Sequence, residues 1–311
     1  MNGYGTPAIR MKGVSLRQSH FRLGPIDLDV PAGFVTAIVG PNSSGKSTTF
    51  RLLMDLMKPN EGSIEVLGCK IGGGKQIDLL KRIGYLPEEP YRHDNALRAM
   101  DKAEFHRQWY PGWDVNFYRE LLKLFEVDHA IKLGNMSKGM RRKFDLALTL
   151  AHQPELLLLD EPSSGLDTIA WRTMIDLLHR YMESGDRTIL IATHIVEEVK
   201  RLADFIVFMA GGKVLGMFEK DELLTGWHQY FFPGTYAEWN GALADMPGLA
   251  WLDDAGGVVR AVTGSAREAE AWLAAREIAP VGRKSMELDD ILAVLVEQEK
   301  LRRQGMKGVK P

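Results

Sequence analysis

The chain has 311 residues, 45% of them hydrophobic, enough for one large domain with a smaller one beside it. Lys and Arg total 39 against 41 Asp and Glu, a net charge of -2, which argues against a broad nucleic-acid surface; no nucleic-acid partner is expected. A single cysteine, Cys69, excludes an intrachain disulfide and fits a reducing compartment, and no stretch reaches the roughly 18 apolar residues of a membrane span.

The N-terminal MNGYGTPAIRMKG lacks the apolar core of a secretory signal. Residues 8–16 and 21–30 alternate in strand fashion and end at the turn Pro31-Ala32-Gly33. The apolar run 34–39 (FVTAIV) predicts a buried strand, and 49–57 (TFRLLMDLM) a helix. A short strand over 62–67 follows, then a loop holding Gly72, Gly73 and Gly74, a short helix over 77–83 and a strand over 83–86. From Pro87 to about Leu133 the pattern is helical and aromatic-rich. The stripe Phe105, Trp109, Tyr110, Trp113, Phe117, Leu121, Leu122, Phe125 reads as core packing, broken at Pro111-Gly112. Helices over 140–152, 168–184 and 196–203 then alternate with strands over 156–159 and 188–193. A hairpin joins 205–209 to 213–217 across Gly211-Gly212. This alternation predicts an α/β fold with a mostly parallel core, and the antiparallel start a small β subdomain attached to it.

Near Thr225 the texture changes. Residues 227–239 (WHQYFFPGTYAEW) are aromatic and turn-rich, and 249–252 with 258–262 predict a hairpin across Asp253-Asp254-Ala255-Gly256-Gly257. Ser265 with Glu268 reads as a capping box for a helix through Ala275. Residues 278–281 read as a strand, and Ser285 as the cap of a last helix bearing Leu288, Ile291, Leu292 and Leu295. The expectation is a small β-β-α-β-α module with a frayed basic tail from Lys300 and no catalytic constellation.

Residues 40–48 (GPNSSGKST) fit G-x-x-x-x-G-K-[ST], the phosphate-binding loop, and lie between the predicted strand and helix. Free N–H groups of Gly40, Pro41, Asn42, Ser43, Ser44, Gly45, Lys46, Ser47 and Thr48 (the proline excepted), with the positive end of the helix dipole, make an anion site there. Lys46 is placed to reach the β- and γ-phosphates and Ser47 to ligate Mg²⁺. Further on, the apolar strand 156–159 ends in Asp160-Glu161-Pro162. Alone, an Asp-Glu pair reads equally as a solvated turn. Behind a phosphate loop, Asp160 reads as a metal carboxylate and Glu161 as the base that orients and deprotonates water. His194 ends the next strand and can bond a γ-phosphate; Asp167 reads as an interface loop residue or as an ordinary helix cap.

Residues 135–140 (NMSKGM) sit upstream of the Asp160 strand and open a helix. Here the chain resembles the ATP-binding cassette (ABC) superfamily, whose signature loop is L-S-G-G-Q. Ser137 and Gly139 match, while Met136, Lys138 and Met140 depart from the pattern. The resemblance covers roughly residues 8–224, with the motifs in order: Walker A at 40–48, Walker B at 156–161, a D-loop at 164–167 and a switch histidine at His194. Glu88 falls where the family has the Q-loop glutamine; its carboxylate can meet Mg²⁺ or water but cannot donate as an amide. Phe21 is the candidate for stacking on adenine, with Gln18 the alternative alignment. The stretches 109–114 (WYPGWD), S-K-G-M and P-E-E-P are most similar to ATPase subunits of type-2 bacterial exporters for drugs, peptide antibiotics and polysaccharides.

The resemblance implies the P-loop ABC ATPase fold over residues 1–224, with a helical subdomain at about 88–153, and an accessory α+β module over 225–311. It implies ATP and Mg²⁺ as ligands, and Ser137, Lys138, Gly139 and Asp167 meeting the nucleotide of a second ATPase subunit, in a homodimer or heterodimer. It also implies a peripheral place on the cytoplasmic side of the membrane, against permease subunits. Two alternatives stay open: a soluble ABC ATPase without a permease, and a low-turnover ATP-binding regulatory module.

Overall fold

The structure, a computed structural model, describes residues 5–18, 20–73, 76–90, 92–254 and 256–303. Gly74 of the glycine-rich loop, Ala255 of the expected hairpin turn and tail residues 304–311 lie outside the described residues. The chain divides into two compact units, Met1–Val214 and Leu215–Pro311.

The first unit opens with β1 (Pro7–Gln18) and β2 (Phe21–Pro31), paired antiparallel as the alternation predicts. After β3 (Val35–Val39) comes helix α1 (Lys46–Leu53), then β4 (Glu61–Val66), β5 (Cys69–Lys70), α2 (Gln76–Leu80) and β6 (Ile83–Leu86). Strands β1, β2, β4 and β5 form an antiparallel sheet in the order β2-β1-β4-β5. Helices α3 (Ala99–Trp109), α4 (Val115–Leu124) and α5 (Lys138–Leu150) follow, and then β7 (Leu156–Asp160), α6 (Thr168–Met182), β8 (Thr188–Ala192), α7 (Val196–Leu202), β9 (Phe205–Ala210) and β10 (Lys213–Glu219), the last crossing the unit boundary.

A second sheet runs β10-β9-β3-β8-β7-β6, parallel from β9 to β6. Its strands β3, β7, β8 and β9 are buried along their whole length, which is why they read as unbroken apolar runs rather than as alternation. In register, Ile38 lies beside Ala192, Ala192 beside Asp160, and Leu159 beside Leu86. The carboxyl ends of β3, β8, β7 and β6 therefore stand in a row, where ligands of parallel sheets bind.

Two boundaries differ from expectation for local reasons. Helix α1 starts at Lys46, because Gly45 at φ 110 supplies its entry turn, and stops at Leu53. There Asp55 adopts φ 54, its N–H bonds the Leu52 carbonyl and the Leu56 N–H bonds that of Arg51, a Schellman stop. The aromatic stripe is not all core. Leu121, Leu122 and Phe125 are buried, but Phe105 and Trp109 are both 57% exposed, because they line an open groove with Ile77 and Leu80 instead of facing the sheet.

The second unit holds α8 (Lys220–Gly226), β11 (His228–Pro233), α9 (Tyr236–Leu243), β12 (Leu249–Asp254), β13 (Val258–Thr263), α10 (Ala266–Ala274), β14 (Gly282–Ser285) and α11 (Leu288–Arg303). The order β12-β13-β11-β14, antiparallel throughout, with α9 and α10 as crossovers, is the split β-α-β arrangement of ferredoxin-like folds. The expected β-β-α-β-α pattern misses β11 and α9, both inside the aromatic stretch. Tyr230 and Phe232 of β11 are core residues, packed with Leu252, Val259, Ala261 and Leu273.

Three local expectations in this unit fail. The Ser265–Glu268 capping box does not form, because the Ser265 N–H donates to the Thr263 hydroxyl at 2.9 Å. A capping box forms instead at Thr235, whose N–H donates to Glu238 at 2.8 Å. Residues 278–281 are not a strand: Glu277 at φ 58 stops α10, and the Ile278 N–H closes on the Leu273 carbonyl. Ser285 belongs to β14 and does not cap α11, whose Ile291 N–H bonds the Glu287 carbonyl.

Candidate functional site: a phosphate cleft at the carboxyl edge of the parallel sheet

The loop from Gly40 to Gly45 leaves β3 and turns tightly into α1. The Ser44 N–H bonds the Pro41 carbonyl at 3.2 Å, and Ser43 and Gly45 take positive φ. A Cβ at Gly40 would sit 2.0 Å from the Met209 carbonyl oxygen, and one at Gly45 would sit 2.5 Å from a Leu23 methyl and 3.2 Å from the Phe21 ring. Gly40 is therefore fixed by close approach, and Gly45 by close approach as well as by its positive φ. No side chain caps α1, which leaves first-turn N–H groups for an anion.

A cleft of about 600 Å³ opens over this loop. It is lined by Phe21, by Asn42, Ser43, Ser44, Gly45, Lys46, Ser47 and Thr48, and by Glu88 and Glu161, so four separate stretches of chain converge. Gln18 and His20 also line it. The Lys46 ammonium donates to the Gly40 and Pro41 carbonyls at 2.8 and 3.2 Å.

Asp160 and Glu161 differ sharply. Asp160 is 1% exposed, and its Oδ1 is buried without a hydrogen-bond partner. Burial pushes its carboxyl up to about 6, against a hydrogen bond from the Ser47 hydroxyl, with Glu88 and Glu161 adding like charge. An orphaned carboxylate oxygen beside a serine hydroxyl fits a hard divalent cation. Among the described residues no cluster of three or more His, Cys, Asp and Glu stands ready for a metal. Glu161 adopts φ 49, unusual for a non-glycine residue, and its Oε2 lies 2.7 Å from His194 Nδ1. The His194 side chain is 65% exposed and that of Glu161 9%, so a surface imidazole covers a sheltered carboxylate.

The signature residues stand elsewhere, outside the residues that line the cleft. Ser137 caps α5 by accepting the Met140 N–H at 3.2 Å, which leaves its O–H free to donate. A Cβ at Gly139 would meet the Gly165 carbonyl oxygen at 2.6 Å, so the signature and the loop before Asp167 touch within one chain. Lys138 is exposed, its ammonium 4.0 Å from Glu89. Asp167 caps α6 through the Ala170 N–H at 2.8 Å, and that bond holds its carboxyl below the usual range.

Two buried residues around the site escaped the motif reading. Glu198 of α7 is fully buried, accepts the Trp171 indole N–H at 3.1 Å and faces the Ser163 and Thr193 hydroxyls; burial raises its pKa. Arg142 of α5 is 5% exposed and bonds main-chain carbonyls of the Asp160–Pro162 turn. A signal for Arg142 is present: with Leu146, Thr149 and Leu150 it shares one helical face, a cation on an apolar stripe.

The chain matches the ABC transporter family over residues 23–164. It is 34% identical over 200 residues to a bacitracin transport ATP-binding protein of Bacillus licheniformis, covering 64% of this chain and 65% of that protein's length. It is 33% identical over 201 residues to a lantibiotic transport ATP-binding protein of Streptococcus pyogenes, covering 62% of this chain and 82% of that one. A solved ATP-binding subunit of an ABC transporter superposes with a TM-score of 0.63 at 25% identity, over 70% of this chain and 92% of the other.

Proposed function

This chain belongs to the ABC transporter family, and we propose that it is the ATP-hydrolysing subunit that powers export through separate membrane subunits. The observation that carries the reading is the 2.7 Å contact of His194 with Glu161, a residue that lines the phosphate-loop cleft. ATP phosphates seat on residues 40–48 at the amino end of α1, with Lys46 turning from its loop carbonyls to the β- and γ-phosphates. Phe21 and Gln18 line the side where adenine stacks. Glu161 orients the attacking water and takes its proton, and His194 fixes the Glu161 carboxylate and bonds the γ-phosphate.

Ser47 and Asp160, with Glu88 as a further oxygen donor, are the residues that would hold Mg²⁺. When bound, the ion neutralises phosphate charge. The Ser137 hydroxyl, Lys138 and the Gly139 N–H, with Asp167, are assigned to the nucleotide of a second ATPase subunit. Their place outside the residues that line this chain's own cleft supports a dimer in which each ATP lies between two chains. Residues 1–224 carry this chemistry, and 225–311 form an accessory module. The groove of Ile77, Leu80, Phe105 and Trp109 is the proposed seat of the membrane subunit. Among the described residues no helix is long and apolar enough to cross a membrane. The place assigned to the chain by the proposed docking is peripheral, at the cytoplasmic face of the membrane.

The test is a tagged Glu161→Gln variant, purified with ATP and Mg²⁺ from detergent-solubilised host membranes. ATP affinity stays within about twofold of the parent, turnover falls by at least about 100-fold, and a polytopic membrane protein co-purifies. Hydrolysis at the parent rate removes Glu161 as the base. A clean ATP-bound dimer without a membrane protein, from membranes that contain the candidate permease, replaces the exporter reading with a soluble ABC ATPase.

A further inference from the structure

We propose that Arg142 is a positioning residue that fixes the Glu161 turn and ties it to the signature helix and to the segment ahead of Glu88. The inference rests on the reading of Glu161 as the general base. Arg142 lies just over one turn into α5, the helix that Ser137 caps. Its Nε donates to the Pro162 carbonyl at 2.9 Å, and its Nη2 donates to the carbonyls of both Asp160 and Glu161. Its Nη1 donates to the Pro87 carbonyl. Four guanidinium N–H groups thus meet four main-chain carbonyls, three of them consecutive.

Three successive carbonyls converge on one point only where the backbone departs from strand and helix. Here the departure is Glu161 itself, at φ 49. The converging oxygens repel one another, and a cation at the focus turns that repulsion into attraction. Only a planar group with five donors in a fixed fork can serve all of them at once; an ammonium is a point charge that reaches one or two. The cost of burying this cation lowers its pKa, and the carboxylates of Asp145, Asp160, Glu161 and Glu88 offset part of that cost. The guanidinium is thus held in place by charge around it and by carbonyls in front of it.

The consequence is mechanical. Any movement of α5, whose first residues are the signature, is transmitted through one side chain to the backbone of the base and to Pro87, the residue before Glu88. A shift of about 1 Å at a reacting group is enough to cost on the order of 100-fold in rate.

The experiment measures steady-state ATP hydrolysis by the full-length chain carrying Arg142→Lys or Arg142→Met, alone and combined with Glu161→Gln. Both single variants lower kcat by about 30- to 100-fold with KM for ATP within about threefold of the parent. In the Glu161→Gln background the same substitutions change the residual rate by less than about twofold, because the group they position is already gone. A defect arising elsewhere in the fold would instead multiply in that background, and this result overturns the proposal. So does a folded Arg142→Lys protein with the parent kcat, or one whose loss lies in KM alone. Where Arg142→Met does not fold, the Arg142→Lys cycle decides. A parent chain without ATPase activity refutes the proposed function itself, whereas an active parent matched by Arg142→Lys refutes only this inference.

Discussion

His152 sits at the end of α5 with 6% of its surface exposed, its ring 4.0 Å from that of Tyr110 and its Nε2 3.3 Å from the Ile83 carbonyl. Burial pushes its pKa down to about 4, so the ring is neutral in the fold at neutral pH. The unfolded chain takes up this proton near pH 6.5 and the folded chain only near pH 4. The contribution to stability is therefore whole above pH 6.5, is lost as pH falls toward 4, and reaches about 3 kcal/mol. Urea unfolding of the parent and of His152→Phe between pH 7.5 and 5 should show a steeper acid loss in the parent; equal slopes would refute the assignment. Residue identity announced some roles and hid others. Lys46, Ser47 and Asp160 stand at motif positions that sequence can name, because phosphate chemistry demands those groups at those spacings. Glu198 and Arg142 carry no motif, since their value lies in what surrounds them once the chain is folded.

At the scale of elements, α5 is tied to the turn ahead of α3 by charge as well as by packing. Arg141 donates to both oxygens of Asp94 at 2.8 Å and to Asp145 at 2.9 Å, while Lys102 of α3 meets Asp94 at 2.8 Å and Asp145 at 3.1 Å. All four side chains are at most 13% exposed. Burial raises the Asp94 pKa, but hydrogen bonds from Lys102 and Arg141 outweigh it and hold the carboxyl below its usual range. Two cations and two anions balance, and removing one charge leaves another buried without its partner. Asp94→Asn should therefore destabilise the protein by about 3 kcal/mol, read as a lowered urea midpoint with an unchanged slope. A change below about 0.5 kcal/mol would show that the cluster is solvated in solution. Sequence adjacency does not separate the two roles: Arg141 and Arg142 are neighbours, yet Arg141 bonds Asp94 ahead of α3 and Arg142 bonds the Asp160–Pro162 turn.

Over the whole molecule, the proposed chemistry lies entirely within Met1–Val214, and the split β-α-β unit has a core of its own built on Tyr230, Phe232 and Leu252. A chain ending at Glu219, the last residue of β10, keeps every strand of the parallel sheet. It should bind ATP with an affinity within about threefold of the full chain by equilibrium titration. Loss of binding in a truncated chain that still unfolds cooperatively would assign the second unit a part in the nucleotide site. The sequence by itself showed the phosphate-loop pattern and the alternating α/β core, because each is a local pattern, whereas Asp160, Glu161 and His194 take their reading from the order of motifs along the chain. Glycines and a lysine at fixed spacing, and apolar runs buried on both faces, need no knowledge of the rest of the chain. The tertiary structure alone decided that Phe105 and Trp109 face a groove while Leu121 and Phe125 face the core, since the same apolar spacing serves either. It alone decided that residues 227–239 supply a central strand and a crossover helix, and that a guanidinium from the signature helix closes on the turn of the proposed base. Those outcomes depend on which surfaces meet, and contacts between residues distant in sequence leave no period for a local pattern to reveal.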